Sequence, residues 1–302
     1  MFSLRIFRLL ALSVCMVLAG QSLGQVNAGE GNKSTRYGAF ELLDSRSRYG
    51  KYWFPEPFRV GEVDVDNEIR FDWVHTEGHA KVADGMKFEL EKSFGLLTIE
   101  LELPYERESS RIDLPGGGSG REKSRGFGNV ELSARHPIYQ WVSADNVIDC
   151  TFGFKFEVAI PTNSPISKHT ELVPAAFAAL RVGEHFSLQS TVGYSFLLGS
   201  DPDGGAQSLE YSAVLGYSIN NSDLKLPGID RVVPILELKG STDMNHGSAG
   251  HNYLSGTAGV RFNLKSMGAL QPRIGLGYVF PIDKSARDDF SSGFVFSLIF
   301  EF

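Results

Sequence analysis

Glu100 and Glu102 stand two residues apart in the alternating run Leu97-Thr98-Ile99-Glu100-Leu101-Glu102-Leu103. On a strand, positions i and i+2 share a face about 7 Å apart, and two carboxylates so placed can serve as acid and base. The same polar register recurs along the chain with Glu89, Glu91, Glu131, Arg135, Lys155, Glu157, Glu210, Glu237, Lys239, Arg261 and Arg273. Acids matched by bases on one side of many segments read as the lining of an interior rather than as a catalytic pair. His246-Gly247-Ser248 is a second candidate, because on a strand a histidine base and a serine nucleophile two apart could meet. Asn245, Gly250 and Asn252 flank it, the asparagines in position to orient the ring, but the glycines point to a surface loop. His75 and His79 are spaced for zinc on a helix, yet on a strand they would lie about 13 Å apart, too far to share an ion. Pro115-Gly116-Gly117-Gly118-Ser119-Gly120 lacks the Gly-Lys-Ser/Thr that completes a phosphate cradle. No metal and no cofactor is expected.

The elements that would position these residues are strands. The chain closes on Phe290-Ser-Ser-Gly-Phe294-Val-Phe296-Ser-Leu298-Ile-Phe300-Glu-Phe302. Phe294, Phe296, Leu298, Phe300 and Phe302 fall on one face, and Gly293, Val295, Ser297, Ile299 and Glu301 on the other. A strand of about ten residues with an apolar outer row is what a barrel needs to cross a bilayer. The same alternation appears in Leu97–Tyr105, in Ile148–Val158 around Cys150, in Leu209–Tyr217 and in Ile274–Phe280. The bland alternative is a soluble β-sandwich, whose strands also alternate.

Composition agrees with either. Hydrophobic residues make up 42 % of 302 and the mean hydropathy is -0.11, values that a barrel with a polar lumen shares with soluble proteins. Past the N-terminus no apolar run reaches the ~20 residues of a helical span. The first residues read as a secretory signal, with Arg5 and Arg8 before an apolar stretch Leu9–Ala19. Ala28 is the expected cleavage point and Gly24 another; Val14 before Cys15 argues against lipidation. Losing residues 1–28 removes two arginines and no acids, so the formal charge moves from -7 to -9, which disfavours nucleic acid. Cys150 is then the sole cysteine, which excludes an intramolecular disulfide. Residues 29–67 show no period of two or 3.6, with Tyr49, Tyr52, Trp53, Phe54 and Phe58 around Pro55 and Pro57. They form an irregular segment before the barrel, lying in the periplasm or folding into the lumen as a plug.

From Glu68 to Phe302 the pattern predicts twelve strands: 68–79, 85–93, 96–106, 128–138, 147–160, 171–182, 186–198, 208–219, 232–242, 253–264, 270–282 and 290–302. The fold class is therefore all-β, a transmembrane antiparallel up-and-down barrel of twelve strands. Its connections should alternate, short on the periplasmic side and long outside. Ser93–Gly95, Gly183–His185 and Lys265–Gly268 are tight, whereas the third connection, Arg107–Phe127, is long and polar. The first, near Lys81–Asp84, is short for an outer loop, and the eighth, Asn220–Arg231, is long for a turn.

Gly126-Phe127-Gly128-Asn129-Val130-Glu131-Leu132, following a long loop, resembles a strand start of the outer-membrane proteins assigned to the MetA pathway of phenol degradation. Asn129 stands where that group would have Asp. The resemblance covers residues 68–302 and implies an outer-membrane transporter whose solutes are hydrophobic or aromatic; it carries no catalytic residues. His246-x-Ser248 resembles the pairing of outer-membrane phospholipases and lipid A deacylases, although Ala249-Gly250 replaces the asparagine-glycine of those enzymes. The terminal phenylalanine resembles the C-terminal signal of bacterial outer-membrane barrels.

The expectation is a porin-like channel in a Gram-negative outer membrane for passive passage of small solutes, not an enzyme. Its partners are membrane lipid, the barrel-assembly machinery acting through the last strand, and a small-molecule solute. The alternatives are a barrel hydrolase acting on lipid through His246 and Ser248, and a surface β-barrel that binds without forming a pore.

Overall fold

A computed structural model describes residues 54–113, 119–145, 147–162, 164, 166–199 and 204–302. The expected signal segment 1–28, residues 29–53 and Pro115–Gly118 lie outside these. The described chain is a closed antiparallel barrel of twelve staves. Its strands are β1 (Glu68–Glu77), β2 (Lys81–Phe94), β3 (Leu97–Asp113), β4 (Ser119–Phe127), β5 (Val130–Val142), β6 (Ile148–Ile160) and β7 (Thr170–Val182). There follow β8 (Phe186–Leu198), β9 (Gln207–Tyr217), β10 (Ile219–Asn220), β11 (Ile229–Asp243), β12 (Asn252–Leu264), β13 (Gln271–Pro281) and β14 (Ser292–Glu301). Two staves are broken. β4 and β5 both pair β3, joined through Gly128-Asn129, and β9 and β10 both pair β11, interrupted at Ser218. β14 pairs β13 on one side and β1 on the other, which closes the ring. Closure satisfies the backbone groups that lipid would leave without partners.

The facing follows the sequence period. On β14, Gly293, Val295, Ser297, Ile299 and Glu301 are buried, while Phe294 is exposed on the outside. Large apolar side chains stay exposed in the outward register around the ring, among them Phe71, Phe88, Leu132, Phe156, Val192, Leu236 and Leu276. In water so continuous an apolar belt would be a liability; in a bilayer it is the solvated surface. Tyr139, Trp141, Phe186 and Tyr217 gather near one rim and Trp73, Tyr278 and Phe294 near the other, the positions of interfacial aromatic girdles.

Connections differ by end. One end carries the tight turn at Gly95 and the turns Ser143–Val147, Gly183–His185 and Lys265–Leu270, with a short helix α1 (Asn221–Leu224) in the eighth connection. Gly95, Gly183, Gly228 and Gly268 adopt φ of 65°, 64°, 79° and 67° there, left-handed values that close turns at no cost to glycine. The opposite end holds the connections after β6, β8, β11 and β13, the last with helix α2 (Lys284–Asp289). Two expectations need correction. Lys81–Asp84 is not a connection but the start of β2, paired with β1 and β3. The third connection is not a loop over 107–127: β3 and β4 run on as a ladder from Tyr105↔Phe127 to Asp113↔Ser119. Charges on both faces hid that ladder, because beyond the lipid neither face must be apolar. β7 is a full strand despite Pro174, whose cost is local: the β7–β8 pairing passes from Leu172↔Phe196 to Ala175↔Gly193 without pairs for Val173 and Pro174.

Candidate functional site

Residues 54–67 lie inside the barrel at its tight-turn end. Phe54, Glu56, Phe58, Val63, Asp64, Val65 and Asp66 are all buried. The segment forms no ladder, so its backbone is satisfied by wall side chains. Arg261 donates to the carbonyls of Glu56 at 3.0 Å and Pro57 at 2.8 Å. Arg70 donates to the carbonyls of Pro57 at 2.6 Å and Phe58 at 3.0 Å. Arg135 donates to the Asp64 carbonyl at 2.9 Å and Gln189 to that of Pro55 at 2.7 Å. In return Glu237 accepts from the Phe58 amide, and from the Arg59 amide at 3.1 Å. Charged groups pair across the same boundary: Arg70 with Glu62 at 3.2 Å, and Arg273 with Glu56.

The wall is shaped for this segment. Phe58 sits 4.9 Å beneath the Arg261 guanidinium, a cation–π arrangement. A Cβ at Gly275 would stand 2.5 Å from the Phe58 ring, one at Gly259 2.6 Å from it, and one at Gly216 2.7 Å from Pro55. Only glycine leaves room for the ring and the proline at these inward positions. These glycines were the one sequence signal for a filled lumen, since inward positions lacking side chains imply that something else supplies the volume. Glu56, Glu62 and Asp64 were missed as interior acids because the segment that carries them has no period.

Beyond this segment lies a cavity of about 630 Å³. Nine carboxylates line it: Glu62, Asp72, Glu89, Glu100, Glu102, Glu106, Glu131, Glu157 and Glu210. Five cations face them, Arg59, Arg70, Lys87, Lys155 and Lys239, leaving four more acids than bases. Much of the charge is paired. Lys87 reaches Glu102 at 3.1 Å and Glu89 at 2.5 Å; Lys155 reaches Glu157 at 3.1 Å and Glu100 at 3.3 Å; Arg135 reaches Glu100 at 3.0 Å. Glu131 and Glu210 line the cavity and make no ion pair among the described residues.

The structure places the expected lining residues as follows. Glu89, Glu91, Glu100, Arg135, Glu237, Arg261 and Arg273 are buried against the inner segment or one another. Glu102, Glu131, Lys155, Glu157, Glu210 and Lys239 line the cavity. Glu100 pairs Lys155 and Glu102 pairs Lys87, and the two carboxylates also meet one another. The premise for His246 and Ser248 does not hold, because they form a single 3-10 turn after β11 instead of a strand, with His246 at φ 58°. Neither asparagine serves the ring: Asn245 binds the Gln207 amide and the Gly205 carbonyl, and Asn252 binds Tyr211, Thr242 and Asp283. His75 instead pairs Asp84 at 2.8 Å, and Cys150 is a free, half-buried thiol.

No family model matches the chain, and no curated protein matches it. Solved structures do. An outer-membrane channel from Pseudomonas putida F1 superposes with a TM-score of 0.54 at 16 % identity, over 82 % of this chain and 99 % of that one. The NanC porin follows at 0.44 and 10 %, covering 78 % of this chain and 98 % of its own, and the KdgM porin at 0.40 and 13 %, covering 78 % and 99 %. At these identities the first likeness establishes the twelve-stave barrel fold.

Proposed function

We propose that the chain is a passive channel for small solutes in a bacterial outer membrane. One observation carries the reading: a barrel with an apolar outer belt encloses a cavity lined by nine carboxylates and five cations. Such an interior offers water and ions a path through a low-dielectric slab. The excess of carboxylates favours cations, since a narrow channel with low-dielectric walls concentrates the opposite sign. Hydrophobic or aromatic solutes enter the proposal only through the resemblance to the MetA-pathway group. On this reading the first 28 residues direct export, and the assembly machinery engages the last strand. Planar-bilayer recording of the purified protein tests it: discrete current steps are expected, and a folded barrel that passes none sinks the channel reading.

A second reading has its own support. Residues 54–67 occupy the tight-turn half of the lumen and are held by at least six hydrogen bonds from wall side chains. A barrel kept shut by that segment would bind solute without passing it. Recording from a chain lacking residues 29–67 separates the two readings: current restored by the deletion supports the shut barrel, and current present without it supports the channel.

A further inference from the structure

Four glutamates stand side by side across four neighbouring strands at the tight-turn end. Glu301 of β14 is opposite Glu68 of β1, Glu68 is opposite Glu91 of β2, and Glu91 is opposite Glu100 of β3. Like charges placed directly opposite destabilise a sheet. Three of the four have a cation: Arg273 for Glu301, Arg135 for Glu91, and Arg135 with Lys155 for Glu100. Glu68 does not. It is fully buried between two other acids, and both its carboxylate oxygens accept no hydrogen bond. An ionised carboxylate in that position costs several kcal/mol unless something positive joins it.

The inner segment completes the arrangement. Glu62 descends onto the pair so that one oxygen each of Glu62, Glu68 and Glu91 lies within 4.8 Å of the others. Oε2 of Glu62 accepts no hydrogen bond either, although Arg135 is 3.8 Å away, while its other oxygen is held by Arg70. Magnesium demands near-ideal octahedral geometry and keeps several waters, whereas calcium accepts irregular sets of protein oxygens. A set drawn from two strands and an irregular segment suits calcium. A second trio, Glu89, Glu100 and Glu102, has the same spacing but is bridged by Lys87, Lys155 and Arg135, and none of its oxygens is orphaned.

We propose that Glu62, Glu68 and Glu91 bind a divalent cation of the calcium class, which fastens the inner segment to the β1–β2 wall. Arg70 holds one oxygen of Glu62, and Arg135 spans both oxygens of Glu91; an ionised carboxylate oxygen has two lone pairs, so each of these oxygens can still meet an ion. Glu68 and Glu62 supply the oxygens that have no other partner.

Calcium titration of the full chain, refolded in detergent and stripped with chelator, tests this at neutral pH. One saturable site per chain is expected. Glu68→Gln and Glu62→Gln should each weaken binding by about tenfold or more, as affinity follows ligand charge, and Glu77→Gln on the far rim should not. Calcium should also raise the thermal midpoint of the unsubstituted barrel, because a ligand that binds only the folded state stabilises it, and should leave that of Glu68→Gln unmoved. Heat-modifiable gel migration shows which variants have folded. A folded barrel that takes up no calcium overturns the proposal and points to a proton on Glu68; binding unchanged in folded Glu68→Gln overturns it as well. None of these readouts needs current, so failure of the channel reading would be seen separately.

Discussion

Phe58 reaches the wall through a gap that two glycines leave open. The ring lies against Gly259 and Gly275 and beneath Arg261, and its amide is held by Glu237. A side chain at either glycine must move the ring or the wall, and the wall is a closed hydrogen-bonded ring. Gly275→Leu should therefore displace the inner segment rather than unfold the barrel, at an overpacking cost of about 1–3 kcal/mol. The expected result is larger single-channel conductance with unchanged heat-modifiable migration. Conductance equal to that of the unsubstituted protein would mean that the segment does not narrow the path.

β14 is the element on which closure depends, since it alone joins β13 to β1. Its outward Phe294, Phe296, Leu298 and Phe300 meet lipid, and the amide of Phe302 binds the Asn67 carbonyl at 3.0 Å, beside the start of β1. Changing Phe300 and Phe302 together to Ser should block insertion while leaving export intact. A folded, heat-modifiable band of that variant in outer-membrane fractions would refute this role for the strand. Elements of this kind were legible in the sequence because lipid outside and polar groups inside impose a period of two, as on Glu100 and Glu102 against Leu101 and Leu103. β2 before Gly85 and the β3–β4 ladder were not, because charges such as Lys81 and Glu108, paired at 3.0 Å, lie beyond the hydrocarbon and need no alternation. The inner segment escaped for another reason. Its backbone is bound by arginine and glutamate side chains from distant strands, and such contacts leave no local pattern.

For the whole molecule, the balance of charge in the cavity predicts selectivity. The cavity has four more acids than bases, and Glu131 and Glu210 are among the acids without an ion pair among the described residues, so reversal potentials in a salt gradient should show a cation preference, larger at low salt where the Debye length is longer. Glu131→Gln with Glu210→Gln should reduce it, as should Glu100→Gln with Glu102→Gln. Anion preference would contradict the assignment of these acids to the conducting path. Orientation is tested independently: an epitope inserted after Gly118, just before β4, should be stained on intact cells. Staining only after the outer membrane is opened would invert the barrel.

The ladder of β3 with β4 has a cost for the molecule outside the bilayer. A closed ring leaves no strand without a neighbour on each side, yet β4 pairs β3 alone. Along most of its other side the backbone faces water with its donors and acceptors free for any extended chain that comes near, including a second copy of the same hairpin. What stands guard is charge: Arg121, Glu122, Lys123 and Arg125 occupy four of the nine positions of β4. Desolvating that row and bringing like charges together would oppose the addition of another strand. The stretch that looks least structured in the sequence thus protects the hairpin from growing into an aggregate.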